Sequence, residues 1–462
     1  MAGYIEDRWF KKGPADPKTG KPTRAKTDRH GKGKRWRVAG ITGVRDRSFT
    51  READAKTWLK ASATDSTRGT FYDPRDGEIT LAEYVTKTWW PSLRVGPGTK
   101  QSMKPRVFNH ILPHVGQLPL NRIGHDEVKA WLMRVEQDID VGTVRTTWRH
   151  FSSILQAAHK AKRIPENPFR DEDLSPPTAP PSKAKAWPEE TVTAVRDALG
   201  LRYGILMDLA VGAGLRQGEC FGFSPDDVDG EEIHVCRQVV KIGGKLAFAP
   251  PKGGKPRDTV CPPELAAAVK EYVNSFSTVE VTLPWIDPDR PSLPWEKRPL
   301  VTVRLLVTTT RTAGRSGGAI NRTTFDYKQW KPSLVKAGVI PEPDVEYIQA
   351  AGKKPWARKE WKMPREDGFH ATRHTFASIV LQSGETITQL AAWLGHTDPA
   401  FTLRTYTHFM PRSGMMAIAA LGGWVSPGGA GTPAGKAVVA PEGSNASGSP
   451  QILPRASHGQ GK

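Results

Sequence analysis

Four short stretches of this chain carry side chains whose types and spacing suit chemistry on a charged oxygen centre. In Gly212-Ala213-Gly214-Leu215-Arg216-Gln217-Gly218-Glu219, Arg216 sits at a glycine-flanked bend after an apolar helical run over 205–211. A dinucleotide fingerprint needs glycine where Gln217 stands, so that reading fails. The second stretch, Pro250-Pro251-Lys252-Gly253-Gly254-Lys255-Pro256-Arg257, lies between strand-like residues 245–248 and 259–260 and reads as a hairpin with a glycine-rich tip. It lacks the Gly-Lys-Ser/Thr ending of a phosphate-cradling loop. The third, His370-Ala371-Thr372-Arg373-His374, opens a predicted helix and sets His370, Arg373 and His374 on one face at i, i+3 and i+4. A zinc-protease pattern needs Glu where Ala371 stands, and no third ligand lies near, so no metal is expected. The fourth runs from Leu394-Gly395-His396-Thr397-Asp398-Pro399 to Thr405-Tyr406-Thr407-His408. Gly395 ends a helix predicted over 386–394, Asp398-Pro399 starts the next, and Tyr406 lies on it.

Each stretch is commonplace alone; together they describe one reaction. An oxygen nucleophile attacking a phosphodiester drives negative charge onto the non-bridging oxygens. Fixed guanidinium and imidazole groups stabilise that charge without a metal or other cofactor. Arg216 and Arg373 offer forked donors, and His396 adds one more. A phenol with a pKa near 10 is only about one part in a thousand ionised at neutral pH. A site that used Tyr406 would therefore supply roughly 4 kcal/mol through a base and nearby positive charge. A lysine on a flexible loop suits protonation of the leaving oxygen, and both Lys252 and Lys255 are candidates.

The elements that must hold these residues form a chain of 462 residues, long enough for two or three domains. Lys and Arg total 67 against 48 Asp and Glu, a formal charge of +19, which suits a polyanionic partner. The three cysteines, Cys220, Cys236 and Cys261, show no metal spacing and imply a reducing compartment. No leader-like or bilayer-length apolar run is seen, so a soluble cytoplasmic protein with no membrane partner is expected. Residues 1–65 are very basic, with seventeen Lys or Arg and seven Asp or Glu in the first sixty. Apolar stretches around Tyr4, Trp36 and Phe49 predict a small three-stranded sheet, followed by a helix over 50–61 capped by Thr50. Residues 66–77 read as a linker. Residues 78–170 read as helical, with faces at Ile79, Leu81, Tyr84, Val85 and Trp89 (closed by Pro91), at Val128, Trp131, Leu132 and Val135, and at Val144, Trp148, Phe151, Ile154 and Leu155. Their tryptophans are read as core. A proline cluster over 171–185 marks the main boundary. Residues 186–420 form the largest unit, of mixed helix and strand, and 421–462 read as a disordered tail.

The order Arg…Lys…His-x-x-Arg…His…Tyr over roughly 186–415 resembles the tyrosine recombinases, the phage integrase family. The resemblance is carried by the GLRQGE, HATRHTFAS, LGHTDP and TYTH stretches. It implies a mostly α-helical α+β catalytic domain that breaks and rejoins DNA through a 3′-phosphotyrosyl bond. Residues 78–170 would then be the helical core-DNA-binding domain, and 1–65 an arm-type DNA-binding module. It further implies Tyr406 as nucleophile and Arg216, Arg373 and His396 as the phosphate clamp. Lys252 would be the general acid, His370 a helper in proton transfer, and Glu219 a support for the Arg216 loop. The partners implied are double-stranded DNA attachment sites, a homotetramer on them, and DNA-bending or excision factors. Action of Tyr406 in cis or in trans stays open. Met415, Ile418 and Leu421 are candidate anchors for a C-terminal exchange between protomers. The stretch 341–367 is longer than the family's pattern and reads as a surface loop or partner contact. A type IB topoisomerase and a non-cleaving DNA-binding protein are the competing readings.

Overall fold

Alternating and helical apolar patterns resolve into three separately packed regions. The computed structural model describes residues 3–178, 184–310, 317–349 and 355–410, all within one unit, Met1–Met410. The tail 421–462 and the anchors Met415, Ile418 and Leu421 lie outside the described residues.

The first region is a three-stranded antiparallel sheet of β1 (Tyr4–Asp7), β4 (Trp36–Ala39) and β5 (Arg47–Phe49). Between β1 and β4 the chain forms a separate two-stranded ribbon, β2 (Phe10–Ala15) and β3 (Pro22–Lys26), which the sequence reading missed. Its Lys-rich strands, Gly13 and Pro14 obscure any apolar alternation. Helix α1 (Glu52–Arg68) covers the sheet through Ala55, Trp58 and Leu59. Its expected cap at Thr50 is corrected: Arg51 precedes the first turn and makes no side-chain cap bond. The helix also runs past residue 61 to Arg68, where Gly69 at φ +71° stops it.

The second region is helical. Leu81–Tyr84, Val85–Trp89 and Trp90–Ser92 run on from one another, and the run ends at Ser92, one residue past Pro91. The middle segment is a wider π turn, with Trp90 N–H reaching Val85 O, and that widening makes room for the proline ring. Helices α2 (Pro97–His110), α3 (His125–Asp138) and α4 (Val141–Lys160) complete the core. Along α4 the apolar residues recur on one stripe, and Val144, Trp148, Phe151, Ile154 and Leu155 are all buried. Burying each such side chain stabilises by about 1.5–3 kcal/mol. Asp140 starts the helix by accepting Thr143 N–H at 3.0 Å. Trp131 is core, donating its indole N–H to His110 O at 2.8 Å.

The third region opens with α5 (Glu189–Gly212), kinked at Gly200 (φ 70°), then the short α6 (Gln217–Phe221). β6 (Val228–Asp229), β7 (Glu232–Val235) and β10 (Arg257–Val260) make a three-stranded sheet in the order β10-β7-β6. β8 (Gln238–Ile242) and β9 (Lys245–Ala249) pair with each other. The hairpin expected around Lys252 is therefore corrected. β9 and β10 do not pair; the segment between them is a loop that crosses from one sheet to another. The tight Gly243-Gly244 turn closes β9 onto β8 instead, leaving β10 free to pair with β7. Then follow α7 (Pro263–Ser275), the pair β11 (Val279–Pro284) and β12 (Leu300–Leu305), and helical turns over 322–336. The long stretch over 341–367 contains an exposed antiparallel pair, β13 (Asp344–Ile348) and β14 (Trp356–Glu360). Helices α8 (His370–Gln382), α9 (Ile387–Leu394) and α10 (Pro399–Tyr406) end the described chain.

Candidate active site

The site is built where three chain ends converge: the bend before α6, the first turns of α8, and the C-terminus of α9. Gly214 makes the bend at φ +65°, and a Cβ there would sit 2.6 Å from the Phe376 ring on α8. Only glycine lets these backbones approach so closely. Arg216 follows at the entry to α6, where its own N–H donates to Glu219 Oε2 at 2.9 Å.

Glu219 is the anchor. Its side chain is fully buried and accepts from Arg216 at 3.0 Å and from both terminal nitrogens of Arg257 at 2.9 and 2.6 Å. Burial alone would raise its pKa, but Arg257 and Arg216 overcome that and hold it at about 2. Arg257, at the start of β10, also donates its Nε to Trp393 O at 2.7 Å. The unpaired carbonyls ending α9 thus become arginine acceptors. Arg216 donates to Leu394 O at 3.2 Å, and Arg373 donates to the same oxygen. Arg373 is 1% exposed and also donates to Gly214 O at 2.6 Å. Burial, Arg216 and Arg257 push its pKa down to about 9, which leaves it charged at neutral pH. Its Nε has no hydrogen-bond partner among the described residues.

Gly395, left-handed at φ +62°, ends α9 and turns the chain so that His396 faces these arginines. His396 Nε2 lies 3.5 Å from Arg373 and its Nδ1 2.7 Å from the buried Thr402 hydroxyl. Arginine only donates, so in this arrangement Nε2 accepts and Nδ1 carries the proton. Because the Thr402 hydroxyl donates or accepts, it supports either tautomer. Burial and the nearby arginines lower the His396 pKa to about 4, so the ring is neutral at pH 7.

Arg216, Lys252, His370 and His396 line one cleft of about 340 Å³, together with Gly253, Gly395 and Phe401. Lys252 projects from the crossing loop, whose Gly253 and Gly254 adopt φ +103° and +81°. Lys255 does not line the cleft. His370, the first residue of α8, stands at the mouth. Arg373 lies beneath, joined to the cleft through His396. Tyr406, the last residue of α10, is 1% exposed and packs in a small core with Phe376, Leu390 and Leu394. Burial raises its pKa, opposed by Arg373 and Arg216. Its hydroxyl lies 3.0 Å from Nδ1 of His374.

All six sequence-derived candidates thus share one scaffold. Four line the cleft; Arg373 and Tyr406 do not and are buried, Arg373 beside His396 and Tyr406 beside His374. Two neighbours escaped the sequence reading. The sequence places His374 on one face with His370 and Arg373, a face better suited to a phosphate than to zinc, but gives it no role of its own; its place beside Arg373 is the available signal. Arg257 follows two glycines and a proline and looked like an ordinary charged strand start. Among the described residues no group of three or more potential metal ligands is found, and no helix is long and apolar enough to cross a membrane.

No family model matches the chain. An integrase of Mycobacterium phage D29 is 24% identical over 394 residues, 82% of this chain and 91% of that protein. A tyrosine recombinase XerC-like protein of Caldanaerobacter subterraneus is 26% identical over 274 residues, 56% of this chain and 60% of that protein. Among solved structures, the Tn1549 transposon integrase, residues 82–397, in complex with a circular intermediate DNA superposes with a TM-score of 0.54. It is 17% identical and covers 75% of this chain and 99% of that one. Over three quarters of its length the chain shares the fold of that integrase. Over most of its length the chain is similar to phage integrases, and over about half of it to a tyrosine recombinase.

Proposed function

We propose that Tyr406 attacks a DNA phosphate held by Arg216, Arg373 and His396, while Lys252 protonates the leaving 5′-oxygen and His370 assists proton transfer. The product is a 3′-phosphotyrosyl bond. That bond conserves the energy of the broken linkage, so rejoining to a second strand needs no nucleotide. The observation that carries this reading is the arginine pair on Leu394 O, set against a cleft lined by Lys252, His370 and His396. Two guanidiniums held in place by backbone carbonyls can stabilise the charge of a pentacoordinate phosphate with little reorganisation. Tyr406 packs within its own chain's site, which supports attack in cis.

Residues 78–170 form a second DNA-binding unit in this reading, and 1–65 an arm-type module. A groove of about 870 Å³ lies between 96–101 on one side and 238–242 with 250–254 on the other. Across it Gly243 N–H donates to Gln101 Oε1 at 2.9 Å. The two regions would part there to admit a duplex and close around it. Pairs of double-stranded attachment sites, a homotetramer and DNA-bending or excision factors complete the reaction.

Covalent trapping tests the reading. A duplex enriched from a random library by binding, then nicked beside the scissile phosphate, is incubated with wild-type protein and with Tyr406→Phe. A denaturing gel should show a wild-type adduct that the variant lacks. Adduct formation by Tyr406→Phe, or tight specific binding with no adduct from either protein, would overturn it.

A further inference from the structure

The reading above gives proton transfer to His370, yet the Tyr406 hydroxyl meets a different ring. Among the described residues, the side chain within hydrogen-bond distance of Tyr406 Oη is His374, through Nδ1 at 3.0 Å. We infer that His374 is a further catalytic residue: it orients the Tyr406 hydroxyl and accepts its proton as the phenol attacks phosphorus. This rests on Tyr406 being the nucleophile.

The geometry follows from α8. Arg373 and His374 are adjacent, so their side chains leave the helix about 100° apart. Arg373 turns to Gly214 O and Leu394 O at the clamp, and His374 turns to the end of α10. One helical turn therefore fixes the phosphate's charge partner and the nucleophile's hydrogen-bond partner together. His370, one turn earlier, makes no hydrogen bond to Tyr406 among the described residues. It meets the edge of the His374 ring instead, at 4.7 Å between centroids and 77° between planes.

The step balances. The Tyr406 O–H bond breaks, its electron pair stays on Oη, and the proton passes to His374 Nδ1. The Oη–P bond forms as the P–O5′ bond breaks, and O5′ leaves with its pair and takes the Lys252 proton. Rejoining runs the same path backwards. His374 must be neutral beforehand, with a lone pair on Nδ1. Burial, Arg373 and His408 lower its pKa to about 4 and keep it so. The groups facing it are Arg373 and His370 on its own helix, Tyr406 on α10, and His408 beyond it. The incoming phosphodiester adds negative charge beside Arg373 and favours the imidazolium at the moment of attack.

The test is single-turnover cleavage of the nicked, library-selected duplex at saturating enzyme, for wild type, His374→Asn and His370→Asn. Asparagine keeps a polar atom near the Nδ1 position but takes no proton. His374→Asn should bind the duplex as wild type does and cleave about 10²- to 10³-fold more slowly. Its rate should climb tenfold per pH unit between pH 6 and 9, where the wild-type rate changes little. Difluorotyrosine at position 406, a more acidic phenol, should recover most of that loss. His374→Asn cleaving within about threefold of wild type with an unchanged pH profile would overturn the inference. So would no recovery with the more acidic phenol, or faster cleavage by His374→Ala, which would make the contact a resting latch. If wild-type protein itself forms no Tyr406 adduct, the underlying assignment has failed, a distinguishable result.

Discussion

Arg216 and Arg373, far apart in the chain, donate to one oxygen, the carbonyl of Leu394 at the end of α9. Like charges brought this close repel, and two features offset the cost. Glu219 supplies a buried negative charge, and the carbonyls ending α9 supply a partial one. The clamp is thus held together by the protein's own groups.

Replacing Arg373 by Lys keeps the charge but loses the fork that spans Gly214 O and Leu394 O. Covalent adduct formation should fall about 10²- to 10³-fold while affinity for a single half-site, measured by gel shift, changes little.

Glu219→Gln leaves Arg257 and Arg216 without their buried counter-charge. Breaking such a pair costs about 3–5 kcal/mol, to be read as a shift in the denaturant midpoint. Glu219 also carries a pH signature. Its folded pKa of about 2 lies below the ordinary 4.5, so its stabilisation is full above that value and is lost as pH falls toward 2. The Gln variant should lack that part of the acid transition.

His374 and His396 act in the same sense at higher pH. Both are held near 4, below the ordinary 6.5, so the unfolded chain binds more protons than the folded one between those values. Stability should therefore fall as pH drops from about 6.5 toward 4. Each group adds at most roughly 1.4 kcal/mol per pH unit, less where solvent reaches the ring. Thermal melts across this window should show a shallower slope for His396→Asn.

Gly214→Ala places a methyl 2.6 Å from the Phe376 ring and strains a backbone at φ +65°. A loss of about 1–3 kcal/mol is expected. Adduct formation should drop as well, because the same bend aims Arg216. The matching change at Gly243, which is also left-handed but has open space around its added Cβ, should leave adduct formation much nearer wild type.

Much of the site was legible before folding because its motifs are local. The spacing of His370 and Arg373 is one helical turn, Gly395 and Asp398-Pro399 announce a helix end and a helix start, and the Arg216 bend is marked by glycines. The crossing loop at Lys252 was misread as a hairpin because strand propensity does not say which strand is the partner. The ribbon β2–β3 was missed because an exposed pair of lysine-rich strands shows no apolar alternation.

By itself, then, the sequence determined the identity of the chemical groups, their order and the helices that present them, since these depend on neighbours three or four residues away. Tertiary structure alone decided that Arg257 braces Glu219, that Leu394 O joins two arginines, that Lys252 rather than Lys255 faces the cleft, and that His374 meets Tyr406. Each of these is a contact between residues distant in the chain. Its partner is selected by packing and by the need to satisfy buried charge, and no local pattern encodes that choice.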